Sequence, residues 1–225
     1  MQAGTETYDR ILMTARQLIH ARSYADVGVA AICQQAGVKK GSFYHFFPSK
    51  QALTLAILET VYQDMQAMLA QAFAPDRPPL ARLARFGQLA YEFQLQIKQA
   101  TGQVAGCPFG NLASELATRD EAIRCKVVDI FARLQQATQS CLQEAVATGE
   151  IPPLDIEATA QAMFAYMEGL MLLAKTHNDP EILRQLLPAI SQIRIPPRSA
   201  QEKRMANTIL STDISAVTGS TGPGG

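Results

Sequence analysis

Two groups of residues in this sequence have side chains and spacings that could do chemistry. The first lies between Lys39 and Lys50, a stretch with three lysines and no acidic residue. Local positive charge of this kind neutralises the phosphates of DNA. The second is Cys107, directly before Pro108 and a short predicted helix. Backbone dipoles favour the thiolate form of a thiol at the start of a helix, so we expect a lowered pKa and a nucleophilic sulfur.

The composition sets limits on both sites. The chain has 225 residues, 48% of them hydrophobic, and its 20 basic and 20 acidic residues give a formal net charge of zero. This hydrophobic content excludes disorder of the whole chain. The sequence predicts neither a membrane span nor a signal peptide. The four cysteines form no CxxC pair, and since no export signal is predicted, we expect a reducing, cytoplasmic location. A neutral chain can still bind DNA, because only the docking face needs positive charge.

Apolar residues recur at helical spacing along nearly the whole chain, and no run shows the alternation of a strand. Helices are predicted over about 5–22, 29–35, 40–46, 49–73, 80–99, 111–117, 119–148, 155–176 and 181–193. We therefore expect an all-α, dimeric fold of about nine helices. A three-helix DNA-binding module (1–50) would join a larger helical bundle for signal sensing and dimerisation (51–196). Residues 197–225 are rich in Ser, Thr, Gly and Pro and predict a disordered tail.

The two short helices over 29–35 and 40–46 have the layout of a helix-turn-helix. They are separated by a short turn containing Gly37, and the second helix of such a unit enters the major groove of DNA. The small core that this unit needs would come from Ile32, Val38 and Phe43. The residues left to face outward are Lys39, Lys40, Ser42, Tyr44 and His45.

The same segment resembles the TetR family of one-component transcription regulators. The resemblance covers about residues 8–60 and rests on Ala36-Gly37-Val38, Gly41, Phe43-Tyr44, Phe47, Ser49-Lys50 and Leu53. It implies a dimeric DNA-binding regulator, usually a repressor. Tyr44 and Lys50 would hold phosphates, and Lys40, Gly41, Ser42 and His45 would lie on or beside the recognition helix, next to Lys39. The family usually has Ser or Thr where Gly28-Val29 stand here, so the hydroxyl cap of the second helix is missing.

The helix predicted over 155–176 is apolar around most of its circumference, so it should be buried on nearly all sides. Ala162, Ala165 and Gly169 would let a second helix approach closely. A matching apolar stripe follows in Ile182, Leu183, Leu186, Leu187, Ile190 and Ile193. These two helices predict a four-helix dimer interface, with a plain internal core as the alternative. A two-fold dimer would place two recognition helices about 34–36 Å apart on a palindromic site.

A second resemblance, to the NemR-type branch of the same family, concerns the signal. It rests on the segment 102–107 with Leu112, Ser114, Glu115 and Lys175. Members of this branch sense quinones, aldehydes and hypochlorous acid through a cysteine at the position of Cys107. The resemblance implies that Lys175 lies close enough to lower the pKa of the thiol and to trap an oxidised sulfur as an S–N bond.

The sequence leaves one alternative function open and argues against another. A repressor of this family could instead be induced by a reversible hydrophobic ligand, with Cys107 only lining the pocket. The pocket residues would be Leu89, Phe93, Phe109, Phe131 and Met167. An enzyme is not expected, because the sequence shows no catalytic triad, metal-ligand cluster or phosphate loop, and no cofactor or metal is predicted. Cys33, Cys125 and Cys141 lie within predicted helices and are expected to be inert.

Overall fold

The structure of the protein is a computed structural model that describes residues 2–197. Within this range every regular element is helical, which confirms the all-α prediction. The nine α-helices of this part are α1 Gln2–Ala21, α2 Val29–Ala36, α3 Lys40–Phe46, α4 Lys50–Ala72, α5 Pro79–Thr101, α6 Pro108–Leu116, α7 Glu121–Ala147, α8 Ile156–His177 and α9 Glu181–Leu186. A 3-10 helix, Leu187–Gln192, follows α9. The tail predicted over 197–225 lies, after Pro197, outside the described residues.

Two helices begin directly after the residues whose side chains were expected to cap them. The Ser49 hydroxyl accepts a hydrogen bond from the amide of Ala52 at 3.0 Å, and an Asp155 carboxylate oxygen accepts one from Ala158 at 3.0 Å. Such caps satisfy amides that have no partner inside the helix. The last predicted helix is shorter than expected, since α9 ends at Leu186 and Pro188 lies in the 3-10 helix that follows. Proline has no amide hydrogen and cannot continue the α-helical ladder.

The hydrophobic core consists of two clusters. The first joins α1–α4 to α6 and the N-terminal half of α7. The second joins α5, the C-terminal half of α7, α8, α9 and the 3-10 helix. The helix-turn-helix segment therefore shares its core with α6 and α7. The domain boundary at residue 50 falls at the start of α4, inside the first cluster, and stays a prediction.

Helix α8 buries one side in its own bundle and leaves an apolar side uncovered. Met163, Met167 and Leu170 are buried, whereas Leu172 and Leu173 are 64% and 45% exposed. Ala165 and Gly169 are also exposed. The apolar stripe expected on the last helix does not join this face, because Leu183, Leu187 and Ile190 are buried and α9 and the 3-10 helix pack on α5 and α8 of the same chain. Leu186 is the large apolar side chain of that stripe that stays exposed.

No helix among residues 2–197 combines the length and the apolar character that a membrane crossing requires.

Candidate DNA-binding surface and signal site

The turn between α2 and α3 depends on one glycine. Gly37 has a φ of 64°, a left-handed conformation that costs little without a side chain. The amide of Val38 then donates to the carbonyl oxygen of Cys33 at 3.0 Å, which closes the end of α2. At the other end, Gly28 caps α2 without a side-chain hydrogen bond, as the missing hydroxyl at this position predicts.

Helix α3 is fixed by its buried side and presents the other side to solvent. Ile32 and Phe43 are fully buried and Val38 packs against them, which confirms the predicted small core. Positions 40, 41, 44 and 45 lie on one helical face, and with the helix cap at 39 they are exposed. We call this face the reading surface: Lys39, Lys40, Gly41, Tyr44 and His45. Ser42 is half-buried.

Lys50 makes contacts within the chain, and its expected phosphate contact stays a prediction. Its ammonium donates a hydrogen bond to the carbonyl oxygen of Tyr24 and lies 3.8 Å from the centroid of the Tyr24 ring. Partial burial lowers the pKa of the Lys50 ammonium. Lys50 is therefore not a free cation on the reading surface, but a tie between the start of α4 and the loop after α1.

The same loop is also held from α6. The carboxylate of Glu115 accepts hydrogen bonds from the backbone amides of Tyr24 at 2.9 Å and Ala25 at 2.8 Å. Sequence reasoning treated Glu115 only as part of a motif, because nothing local indicates a partner about 90 residues away in the chain. Helix α6 is thus bonded directly to the segment that leads into the helix-turn-helix.

The glycine-rich segment before α6 is a fixed structure. The buried side-chain amide of Gln94 donates to the carbonyl oxygen of Gly106 and accepts from the amides of Ala105 and Gly106, each at 3.1 Å. The side chain of Asn178 accepts from Val104 at 2.8 Å and donates to the carbonyl oxygen of Gly102 at 3.0 Å. Two side chains from α5 and the end of α8 therefore replace the backbone pairing that this segment lacks.

Cys107 caps α6 as its position suggests, but its chemistry is the opposite of the expected one. Its Sγ accepts a hydrogen bond from the amide of Gly110 at 3.3 Å. Burial raises the pKa of the thiol well above its usual value, and the nearby carboxylate of Glu168 raises it further. These effects exceed the lowering by backbone amides, so the expected low pKa is wrong and the thiol is protonated at neutral pH. Glu168, which sequence reasoning missed, is the second group of this site.

Lys175 reaches the same region without pairing with the thiol. Its ammonium donates to Oδ1 of Asn111 at 2.8 Å, and its methylene stem packs against Gly106, where an added Cβ would lie 3.1 Å from Cδ of Lys175. Lys175 and Cys107 both line a cavity of about 250 Å³ between α6 and α8. The structure thus brings the two predicted sensor residues together but bonds the ammonium to an amide oxygen, not to sulfur.

A larger cavity, of about 960 Å³, lies between α1, α4, α5, α6 and α8. Of the five predicted pocket residues, Phe93 and Phe109 line it. The other three lie outside its lining: Leu89 and Met167 are buried, and Phe131 packs on Phe164 with ring centroids 4.8 Å apart. The pocket is displaced toward the helix-turn-helix, because α1 and α4 supply part of its walls, whereas the predicted residues lie on α5, α6, α7 and α8.

All four cysteines are free thiols. Cys33 and Cys141 are buried, and Cys125 is exposed and donates to a carboxylate oxygen of Glu121 at 3.4 Å. Burial raises the pKa of the thiols of Cys33 and Cys141. Among the four, only Cys107 lines either the 250 Å³ or the 960 Å³ cavity.

Comparison with known proteins places these features in context. A family model described as "Bacterial regulatory proteins, tetR family" matches residues 11–57, and one described as "Tetracyclin repressor-like, C-terminal domain" matches residues 79–190. The transcriptional regulator AcuR of Cereibacter sphaeroides is 34% identical over 164 residues, 72% of this chain and 73% of AcuR. The transcriptional repressor NemR of Escherichia coli is 28% identical over 198 residues, 85% of this chain and 96% of NemR. The crystal structure of regulatory protein TetR from Rhodobacter sphaeroides superposes with a TM-score of 0.74 at 29% identity, covering 84% of this chain and 99% of that one.

Proposed function

Since this chain belongs to the TetR family of bacterial regulatory proteins, we propose that it is a repressor that binds a palindromic DNA operator as a two-fold dimer. Members of the family are DNA-binding regulators, not enzymes. The observation that carries the proposal is the exposure of Lys39, Lys40 and Tyr44 on a recognition helix that Phe43 anchors in the core. Lysine side chains bind mainly the phosphates of DNA, whereas other side chains on this face of the helix contact base edges in the major groove.

A double variant, Lys39→Ala with Lys40→Ala, is expected to bind the operator about 10-fold more weakly. Each lysine that contacts a phosphate releases counterions on binding, so the slope of log affinity against log salt concentration should fall by about 4 when both lysines are removed from each protomer of the dimer. Fluorescence anisotropy with a labelled operator at several salt concentrations measures both quantities. Arg77→Ala, an exposed cation in the loop between α4 and α5, is the matched control and should keep the parent slope. An unchanged slope in the double variant would place the DNA contact elsewhere.

For the dimer we propose the uncovered face of α8 as the interface. Ala165 and Gly169 leave room for a close approach, and an added Cβ on Gly169 would meet no atom within 4 Å. Leu173, one turn after Gly169 on the same helix, supplies exposed apolar area beside it. Members of the family dimerise, and an apolar helix face left open in one chain is the surface that a second copy would bury.

For the signal we propose that a small molecule in the 960 Å³ cavity weakens operator binding. The cavity takes walls from α1 and α4, which share a core with the recognition helix, and from α5, α6 and α8 of the bundle. Glu115 on α6 bonds the loop that leads into α2. A ligand that displaces α6 would therefore pull on the helix-turn-helix through this carboxylate, and would shift the spacing of the two reading surfaces.

A second candidate signal is an electrophile or oxidant that modifies Cys107. It is supported by the similarity to NemR, by the resemblance of the segment around Cys107 to that branch, and by the opening of the 250 Å³ cavity at this thiol. The protonated state of the thiol argues for slow reaction, because the thiolate is the nucleophile. The raised pKa of this thiol and the size of the 960 Å³ cavity therefore favour the reversible ligand.

The reactivity of Cys107 is expected to rise when the charge of Glu168 is removed. In a chain with Cys33→Ala, Cys125→Ser and Cys141→Ala, Glu168→Gln should increase the rate of alkylation by iodoacetamide at pH 7 about 5-fold, since loss of the carboxylate lowers the thiol pKa. Mass spectrometry of timed samples measures the rate.

Glu157→Gln, an exposed carboxylate on the same helix, is the control and should leave the rate unchanged. A slower reaction in Glu168→Gln would mean that Glu168 accepts the thiol proton and promotes the thiolate, instead of disfavouring the thiolate by its charge. Treating the operator complex with N-ethylmaleimide or hypochlorous acid separates the two signals. Release in the parent but not in Cys107→Ser supports the covalent signal, and equal behaviour of both excludes it.

A further inference from the structure

The charges around the 960 Å³ cavity are unequal. Its acidic side chains are Asp64 and Glu115, and both are already paired: Asp64 with Arg16, and Glu115 with the backbone amides of Tyr24 and Ala25. Arg22 and Lys175 also line the cavity. In the part of the chain that the structure describes, neither of these two cations forms a salt bridge, and Lys175 is held by a neutral amide oxygen.

His20 lies where this positive charge concentrates. Its imidazole lines the cavity. Burial lowers its pKa first, and the positive charges of Lys175 and Arg16 lower it further, with no carboxylate acting in the opposite direction. The cavity wall formed by the end of α1 and Lys175 on α8 thus combines positive charge with a neutral, hydrogen-bonding imidazole.

Most of the remaining lining of the cavity is apolar. Met65 and Met68 of α4, Phe93 and Ile97 of α5, and Leu172 of α8 contribute to its walls. Ligand sites typically combine such an apolar lining with a few polar groups that fix the orientation of the ligand. Methionine side chains adapt to ligands of different shape.

We propose that this cavity binds an amphipathic carboxylate, with its apolar body against the methionines of α4 and its carboxylate between Lys175 and His20. A carboxylate satisfies the excess positive charge, whereas a neutral analogue of the same length leaves Lys175 on its amide partner and gains only apolar contact. This ligand class adds detail to the proposed function. Only the expected effect of the ligand on DNA binding rests on that function. Binding to the free protein does not depend on it.

Decanoate and 1-decanol are a matched pair of probes. Isothermal titration of the full chain without DNA should show decanoate binding about 10-fold or more tightly than 1-decanol, since a hydrogen bond to a charged partner is among the stronger polar contacts. Lys175→Met keeps an unbranched stem over Gly106 and removes the charge, so it should bring the two affinities together. Arg77→Met, outside the cavity, should keep the preference.

Equal affinity of the parent for both probes, or an unchanged preference in Lys175→Met, would overturn the proposal. If Lys175→Met does not fold, as judged by its circular dichroism, Lys175→Gln serves as the second variant, and an unchanged preference there overturns the proposal in the same way. Anisotropy with the labelled operator shows whether a ligand that binds the cavity also releases DNA. Preferential binding of decanoate without operator release supports the carboxylate site and rejects the cavity as the signal site, and release by decanol alone rejects the carboxylate.

Discussion

Leu173→Glu is expected to split the dimer and to lower operator affinity about 100-fold or more. The side chain is 45% exposed on the apolar face of α8, beside Gly169 and Ala165, where the second copy would cover it. A carboxylate buried there without a partner opposes association in both chains. A 100-fold loss corresponds to about 2.7 kcal/mol, and a monomer retains only one of two half-site contacts. Light scattering gives the mass, and anisotropy gives the affinity.

Val128→Glu is the matched control for this experiment. Val128 is a β-branched apolar residue on α7 and is 54% exposed, so it carries the same change of charge at a position outside the α8 face. This variant should stay dimeric and bind the operator as the parent does. If Leu173→Glu stays dimeric, or if Val128→Glu becomes monomeric, the interface lies on a helix other than α8.

Gln94→Met is expected to lower the free energy of unfolding by about 3 kcal/mol. Methionine has nearly the same length, but it leaves the amides of Ala105 and Gly106 and the carbonyl oxygen of Gly106 without partners in a buried position. Each buried polar group that loses its hydrogen bond costs about 1–3 kcal/mol. For a chain of this size, 3 kcal/mol corresponds to a fall in Tm of about 6–12 °C, which circular dichroism measures.

Gln88→Met tests whether the loss is specific. Gln88 lies on the same helix, but it is exposed and bonds only to Glu92, at 2.9 Å. We expect it to change Tm by about 2 °C or less, as surface substitutions usually do. Equal effects of both substitutions would mean that the segment 102–106 is supported by something other than Gln94.

Local features of the sequence predict the helices well. Ser49 and Asp155 mark helix starts by their side-chain oxygens, and Gly37 marks the turn of the helix-turn-helix because it alone tolerates the left-handed conformation at low cost. The buried side of α3 also follows from spacing, since Phe43 must enter the small core when its neighbours are polar. These signals depend on residues within one or two turns of each other.

The signal region could not be predicted in the same way, because its contacts join distant parts of the chain. Glu115 meets Tyr24, and Lys175 meets Asn111, only after the helices have packed. Cys107 shows the consequence: the local rule for a thiol at a helix start holds for its geometry, yet burial and Glu168 determine its pKa. Burial, together with a carboxylate that tertiary packing places nearby, outweighs the helix dipole that the sequence indicates.

The shared walls of the large cavity would affect the ligand concentration that is needed to relieve repression. Because α1 and α4 line this cavity and also belong to the core under the recognition helix, a ligand in the cavity and an operator would act on the same helices. Thermodynamic linkage makes their effects reciprocal: a ligand that weakens operator binding by some factor is itself bound more weakly, by the same factor, when the operator is occupied. The ligand concentration that relieves repression would then be set partly by the DNA, and a strong operator would require more ligand than a weak one.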